Sequence, residues 1–243
     1  MRKAHNPEVA WFKSRPRYFL KMLYIGIDEA GRGPVIGPMI IAGILADRKQ
    51  LDALKKLGVK DSKMLSPARR EYLFEKIKNN AIDFGVAKIL PEEIDSKISQ
   101  KINLNKIEAI NAAKIINELA KNTNEQISLF VDCPSVNISA WQSYLFQHLE
   151  KKEKIIPRCE HKADVNYPIV SAASIIAKVT RDREIEKIKK IINEDFGSGY
   201  PSDPATINFL KKRAKKYENM GIIRKSWATW TRREKKQKKL DEF

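Results

Sequence analysis

The chain has 243 residues, 42% hydrophobic and 32% charged, enough apolar material for a packed core and too much for wholesale disorder. Its 47 Lys and Arg against 30 Asp and Glu leave a formal net charge of +17, which calls for a polyanionic partner, nucleic acid or an anionic membrane surface. The longest mostly apolar stretch, 36–46, is too short to cross a bilayer and contains Gly37, Pro38 and Gly43, so a membrane span is excluded. Two cysteines make no disulfide framework and no Cys/His cluster has zinc spacing, which favours a reducing, cytoplasmic setting.

In chain order, Leu23 to Asp28 reads as a short buried strand that runs into Asp28-Glu29. Ala30 to Pro38, with three glycines and two prolines, is a loop, and Met39 to Leu45 a second strand. Ser66-Pro67 is an N-cap with proline at the first helical position, opening a helix to about Lys78. Ile82 to Ile89 is a third strand and Pro91 to Lys97 a short helix. Asn103 or Asn105 starts a longer helix with Ile107, Ile110, Ala113, Ile115 and Leu119 at helical spacing. Ile127 to Val131 is a fourth strand ending at Asp132, Trp141 to Leu149 is helical, and Lys154 to Pro157 is a fifth strand. Val170 to Ile192 is the longest helical pattern. After the turn at 197–201, Asp203-Pro204 opens a helix to about Tyr217, and a basic helix follows from about Lys225. Strands interspersed with helices predict an α/β fold, with the final helices as a lid or appendage.

The basic excess sits at the two ends. Residues 1–21 hold six Lys and Arg and one acid, and residues 211–243 hold thirteen against four. Aromatics interleave both flanks (Trp11, Phe12, Tyr18, Phe19; Trp227, Trp230), which favours phosphate contact over a merely solvated face.

Two apolar strands end in acid, Asp28 with Glu29 and Asp132, and Asp164 lies in the polar segment before the longest helix. The ends of strands are where an α/β sheet displays its site, and clustered carboxylates suit a hard divalent cation. Spacing alone leaves two readings open, a metal site or ordinary strand-end and helix-cap acids. Adjacent Asp and Glu on a regular strand point to opposite faces, so a shared site requires the strand to end or bend at Asp28. Gly31-Arg32-Gly33-Pro34-Val35-Ile36-Gly37 fails the dinucleotide fingerprint, because its third glycine is one residue late and no helix follows. What is left is a loop whose backbone can approach a ligand, with Arg32 offering a charged fork.

Gly26 to Pro34 (Gly-Ile-Asp-Glu-Ala-Gly-Arg-Gly-Pro) resembles the signature of type 2 ribonuclease H, ribonuclease HII. Asp61 to Ser66, His161 to Asp164 and Ser171 to Asp182 are similar to further segments of that family, and Gly197 to Pro204 to its archaeal-like branch. The resemblance spans about 22–228 in order. It implies a ribonuclease-H-like fold: a mixed central sheet flanked by helices, with a helical C-terminal subdomain. The implied organisation is a basic extension at 1–21, a catalytic domain at 22–196, and a helical part with a basic tail at 197–243.

By the same resemblance Asp28, Glu29, Asp132 and Asp164 are both catalytic and metal-holding, with Mg²⁺ or Mn²⁺ as the cofactor. The implied activity is hydrolysis of the RNA strand of RNA/DNA hybrids and nicking 5′ of ribonucleotides embedded in duplex DNA. It proceeds by two-metal hydrolysis and leaves 3′-hydroxyl and 5′-phosphate. Gly31, Arg32 and Gly33 resemble a sensor of the ribonucleotide 2′-hydroxyl, the one group that separates RNA from DNA at a given position. Tyr200 resembles the tyrosine that stacks on the neighbouring sugar; a turn anchor is the other reading. Ser171, Ser174 and Lys178 share a helical stripe that touches phosphates in the family, as Lys63 does; a small-residue packing face is the alternative. Asp182 reads as a local partner of Lys178 or Arg183, His161 as structural, and Cys133 and Cys159 as passive. Gln237, Leu240 and Phe243 resemble the peptide that docks replication enzymes on the sliding clamp, minus its second aromatic; a plain basic tail is the other reading. Monomer is the default. A non-catalytic hybrid binder or a DNA-only nuclease of the same fold are the competing functions.

Overall fold

The computed structural model describes residues 22–59 and 65–232. Residues 1–21, Lys63 and the tail residues Gln237, Leu240 and Phe243 lie outside them. The strands are β1 (Leu23–Ala30), β2 (Met39–Ala46), β3 (Asp83–Ile89), β4 (Ile127–Asp132) and β5 (Ile155–Glu160). The helices are α1 (Arg48–Lys56), α2 (Pro67–Asn80), α3 (Pro91–Ser99), α4 (Leu104–Ala120), α5 (Ile138–Gln147), α6 (Ala163–Asn166), α7 (Pro168–Ile192) and α8 (Pro204–Lys212).

The sheet order is β3-β2-β1-β4-β5. β1 pairs antiparallel with β2 and parallel with β4; β2–β3 is antiparallel and β4–β5 parallel. β2 is buried at all eight positions, because helices cover both faces of the sheet. Its alternation sorts the core: Met39, Ile41 and Leu45 join one cluster with α4, and Ile40, Ala42, Ile44 and Ala46 join another with α7. β1 obeys the same parity, with Ile25 and Ile27 on the α4 side. Gly26 therefore faces α7, and a Cβ there would stand 2.5 Å from the Ile169 carbonyl oxygen. Only glycine lets the start of α7 lie this close to β1.

Helix starts follow local chemistry. Ser66 accepts from the Arg69 N–H with Pro67 in the first turn, and Asn103 accepts from the Lys106 N–H. Three expectations are corrected. α1 was not foreseen, although Asp47 and Gln50 form a reciprocal capping box at its start. The helix expected from Pro204 to Tyr217 breaks after Lys212 into a 3₁₀ turn at Ala214–Tyr217. The C-terminal part is no appendage: Phe196, Phe209, Tyr217, Ile223 and Trp230 form one cluster with Val35 and Ile36 of the loop after β1 and Ile185 of α7. Trp230 is fully buried there, so it is a core residue and not a nucleic-acid stacker. Among the described residues no helix is long and apolar enough to cross a membrane.

Gly26→Ala should therefore cost about 1–3 kcal/mol through overpacking against backbone that cannot yield. A thermal melt should fall by several degrees, and an unchanged melt would contradict this packing.

Candidate active site

Three elements deliver the acids. Asp28 stands near the end of β1, Asp132 ends β4, and Asp164 lies in the single turn of α6. One carboxylate oxygen from each of the three falls within 4.8 Å of the others. α6 was not foreseen; Lys162, at φ 59°, makes the left-handed turn that swings the chain from β5 into it. The Ala163 N–H then donates to Asp132 Oδ1 at 3.2 Å, and His161 Nδ1 lies 2.9 Å from the Cys133 carbonyl oxygen. That contact ties the turn into α6 to the segment just after β4.

Glu29 reaches the cleft by a route the sequence did not suggest. β1 neither ends nor bends at Asp28 but stays paired with β2 through Ala30 opposite Ile40. Parity puts Glu29 on the α4 side, outside the group of three oxygens. Pairing with β4 stops at Ile27 opposite Val131, so past that point the β4 edge of β1 is open. Through that opening Glu29 lines the same cleft as Asp28, Asp132 and Asp164.

Burial pushes the Asp28 carboxyl well above its ordinary range, and the charges of Glu29 and Asp132 add to it. A hydrogen bond from Ser174 and the Glu29 N–H, 2.8 Å from Asp28 Oδ1, pull the other way. Glu29 is raised by burial and then by Asp132, with Arg32 opposing. Hard oxygen donors crowded until they resist ionisation are a donor set that a divalent cation would relieve, so these residues fit such an ion.

The cleft measures about 210 Å³, and its walls are Gly31, Arg32, Gly33, Ser174, Lys178, Arg181, Asp182 and Tyr200. Gly31, at φ +85°, leaves room for Arg181, whose Cδ would be 2.5 Å from an added Cβ. The Arg181 guanidinium lies 5.1 Å from the Tyr200 ring centroid and donates to the Ser198 carbonyl at 3.0 Å. The turn carrying Tyr200 is tied down by Gly199, whose carbonyl accepts from Val35 N–H at 2.8 Å. Tyr200 is thus held by an anchored turn and still partly exposed to the cleft.

Sequence reading missed the residues that hold the glycine loop. Arg224 is fully buried and donates to the carbonyls of Gly31 (2.6 Å), Arg32 (2.9 Å) and Gly37 (3.0 Å). Burial brings its pKa down to about 9. Trp227 Nε1 donates to the Gly33 carbonyl at 3.0 Å, a structural task in place of the phosphate contact expected of it. From the other side, Glu108 pairs with Arg32 Nη1, and Asn105 Oδ1 accepts from Nη2 at 2.7 Å. Burial first, then the charge of Glu29, raises the Glu108 carboxyl to about 8.

Two other assignments change. Ser171 is buried and donates to the Asp164 carbonyl at 2.6 Å, so it steadies a carboxylate-bearing turn instead of lining the cleft. Asp182 pairs with Arg70 of α2 at 3.4 Å, while Arg183 is taken by Glu71. Both cysteines are free, and burial pushes the Cys159 thiol up to about 12, away from reactive thiolate.

A mixed five-stranded sheet with acids at the ends of two adjacent parallel strands is a ribonuclease-H-like fold. The ribonuclease H2 of Pyrococcus horikoshii matches it with a TM-score of 0.80 and 42% identity, over 90% of this chain and 100% of that one. The chain belongs to the ribonuclease HII family: the ribonuclease HII family model matches residues 25–230. It is therefore a ribonuclease H, a hydrolase that acts as an endonuclease. The ribonuclease HII of Pyrococcus furiosus is 43% identical over 90% of this chain and 96% of its own length. That of Archaeoglobus fulgidus, solved in complex with PCNA, is 41% identical with a TM-score of 0.73, over 84% of this chain and 95% of that one.

Ser171→Ala should lower the melting temperature by a few degrees, through loss of a buried hydrogen bond worth about 1–3 kcal/mol. Hybrid affinity at fixed salt should not move. A weakened affinity would return Ser171 to the phosphate path.

Proposed function

We propose that the enzyme hydrolyses the RNA strand of RNA/DNA hybrids and nicks duplex DNA 5′ of an embedded ribonucleotide, leaving 3′-hydroxyl and 5′-phosphate. The observation that carries this reading is the meeting, in one cleft, of the Asp28, Asp132 and Asp164 oxygens with the Gly31-Arg32-Gly33 loop and Tyr200. Acids suited to phosphodiester hydrolysis stand next to a backbone segment suited to reading a sugar.

Asp28, Asp132, Asp164 and, from the open edge of β1, Glu29 would hold the divalent cations. Two such ions, Mg²⁺ or Mn²⁺, supply an activated water and charge stabilisation on the leaving 3′ oxygen. The chain's own residues orient everything around them. Ser174 fixes the Asp28 carboxylate through its hydroxyl. Ser171 and the Ala163 N–H hold the turn that keeps Asp164 beside Asp132. Lys178 lines the cleft, where an ammonium attracts the scissile strand's phosphates. Gly31 and Gly33 let the loop approach the 2′-hydroxyl, and Tyr200 offers a ring to the adjoining sugar. Lys63 is assigned to phosphate contact on the resemblance of its segment alone.

The test is a labelled DNA duplex with one ribonucleotide beside an all-DNA control, each with Mg²⁺, Mn²⁺ or EDTA. A metal-dependent nick at the ribonucleotide only is the expected result, and Asp28→Asn should abolish it while hybrid binding persists. Equal cutting of both duplexes would make the enzyme a DNA nuclease; a fully active Asp28→Asn would remove the metal assignment.

We also infer docking on the replication sliding clamp through Gln237, Leu240 and Phe243. The PCNA complex of the Archaeoglobus fulgidus relative supports this partner. Deleting Leu240 to Phe243 should weaken clamp capture in a pull-down without changing turnover on a short duplex. Undiminished capture would refute docking through this tail.

A further inference from the structure

Glu108 is a carboxylate on the apolar side of its helix. With Ala112, Ile115 and Leu119 it occupies the i, i+4, i+7 and i+11 positions of α4, all buried, and it is itself 2% exposed. Ile27, Ile41, Ala112, Val131 and Trp141 surround it, and Asp28, Glu29 and Asp132 border the same space. Its Oε1 makes no hydrogen bond among the described residues, so its burial rests on the pairing with Arg32 Nη1. Packing alone would not select this arrangement, since an apolar side chain of the same size would sit there at lower cost.

Asn105 lies one turn before Glu108 on α4 and takes the other nitrogen, Nη2, at 2.7 Å. A planar guanidinium gripped at both ends by two side chains of one rigid helix is fixed in direction as well as in place. The tether matters to the loop because its backbone is already bound on the opposite side. Arg224 and Trp227 take the carbonyls of Gly31, Arg32 and Gly33, and α4 takes the side chain. Arg32 is therefore committed to the protein, and the fork expected to face the substrate is turned toward α4.

We propose that Asn105 and Glu108 are positioning residues for junction recognition. By holding Arg32 against α4 they set how Gly31-Arg32-Gly33 meets the ribose at an RNA–DNA junction. This rests on the reading of that loop as the ribose sensor.

The test uses the full chain and a duplex with a short run of ribonucleotides flanked by DNA, reading the ratio of junction cuts to cuts elsewhere in the run. Glu108→Gln keeps the side chain's shape and replaces the carboxyl group that pairs with Arg32 by an amide, and should lower that ratio about tenfold. Asn105→Ala should lower it less, and it keeps the test open if Glu108→Gln folds poorly, because the Trp141 bond to the Asn105 carbonyl survives. In an Arg32→Ala background neither change should cause a further loss, because both act through that guanidinium. Unchanged ratios in both single variants, or losses that add to that of Arg32→Ala, would overturn the proposal. If Arg32→Ala itself cuts with full selectivity, the sensor reading fails first; if it blurs the cut while the α4 variants do not, only the positioning role fails.

Discussion

Like charges at close quarters set the terms for the rest of this structure. Bringing oxygens of Asp28, Asp132 and Asp164 within 4.8 Å, with Glu29 beside them, costs free energy that grows with burial, as the raised Asp28 and Glu29 carboxyls record. The Ser174 hydroxyl, the Glu29 N–H and the charge of Arg32 offset only part of this cost, so the elements that carry the acids must be held by something stiffer than the acids themselves. The parallel pairing of β1 with β4 supplies two of the positions. The third depends on α7, whose Ser171 holds the Asp164 carbonyl and whose Ser174 bonds Asp28. Gly26 permits that helix to lie directly on β1. One contact, α7 against a glycine in the central strand, thus fixes the spacing of acids on different elements.

The opposite wall of the cleft is organised by a single buried cation. Arg224 binds three carbonyls of the segment after β1, satisfying acceptors that a sharp glycine-rich loop cannot satisfy internally. The cation is tolerated because several carbonyl dipoles face it and the charges of Asp95 and Glu108 favour it, and its lowered pKa shows what desolvation costs even so. Asp95 of α3 caps the next residues, accepting from the Lys225 and Ser226 N–H groups, so α3, the C-terminal segment and the loop form one support. The helical C-terminal part therefore belongs to the site structurally, which explains why its core takes in Val35 and Ile36.

What the sequence disclosed and what it hid follow from how each residue signals its role. Asp28 and Asp132 were legible as candidates because each interrupts an apolar run near the C-terminal end of a strand, a local pattern. Asp164 showed in the sequence only as an acid in a polar segment before the longest helix, since α6 is too short to leave a periodic trace, and the resemblance supplied its role. Arg224 follows Ile222-Ile223 within a strongly basic stretch, where one more arginine carries no distinguishing mark. Glu108 did leave a mark, an acid on the apolar stripe of α4, and α1 left another in its Asp47–Gln50 capping box. Ser171 and Ser174 share a stripe, but spacing cannot tell a hydroxyl turned to a neighbouring carbonyl from one turned to a carboxylate. That distinction depends on α6, folded against the helix start.

The cations of the cleft divide by type. Arg32 is committed to Glu108 and Asn105, Arg181 to the Ser198 carbonyl and the Tyr200 ring, and Arg224 to the loop carbonyls. Each of these guanidiniums uses its fixed fork to hold backbone or side chains in place, and none presents an open fork for a phosphate. Lys178 brings an ammonium to the cleft, and lysine is the commoner basic residue of the C-terminal flank. An ammonium attracts a polyanion from many directions and carries little geometric information; a fixed guanidinium does the reverse. On the proposed function, affinity for a charged duplex and choice of cleavage position would fall to different residues. A long duplex would be held by its phosphates while a loop of three residues, braced by arginines, would set where it is cut.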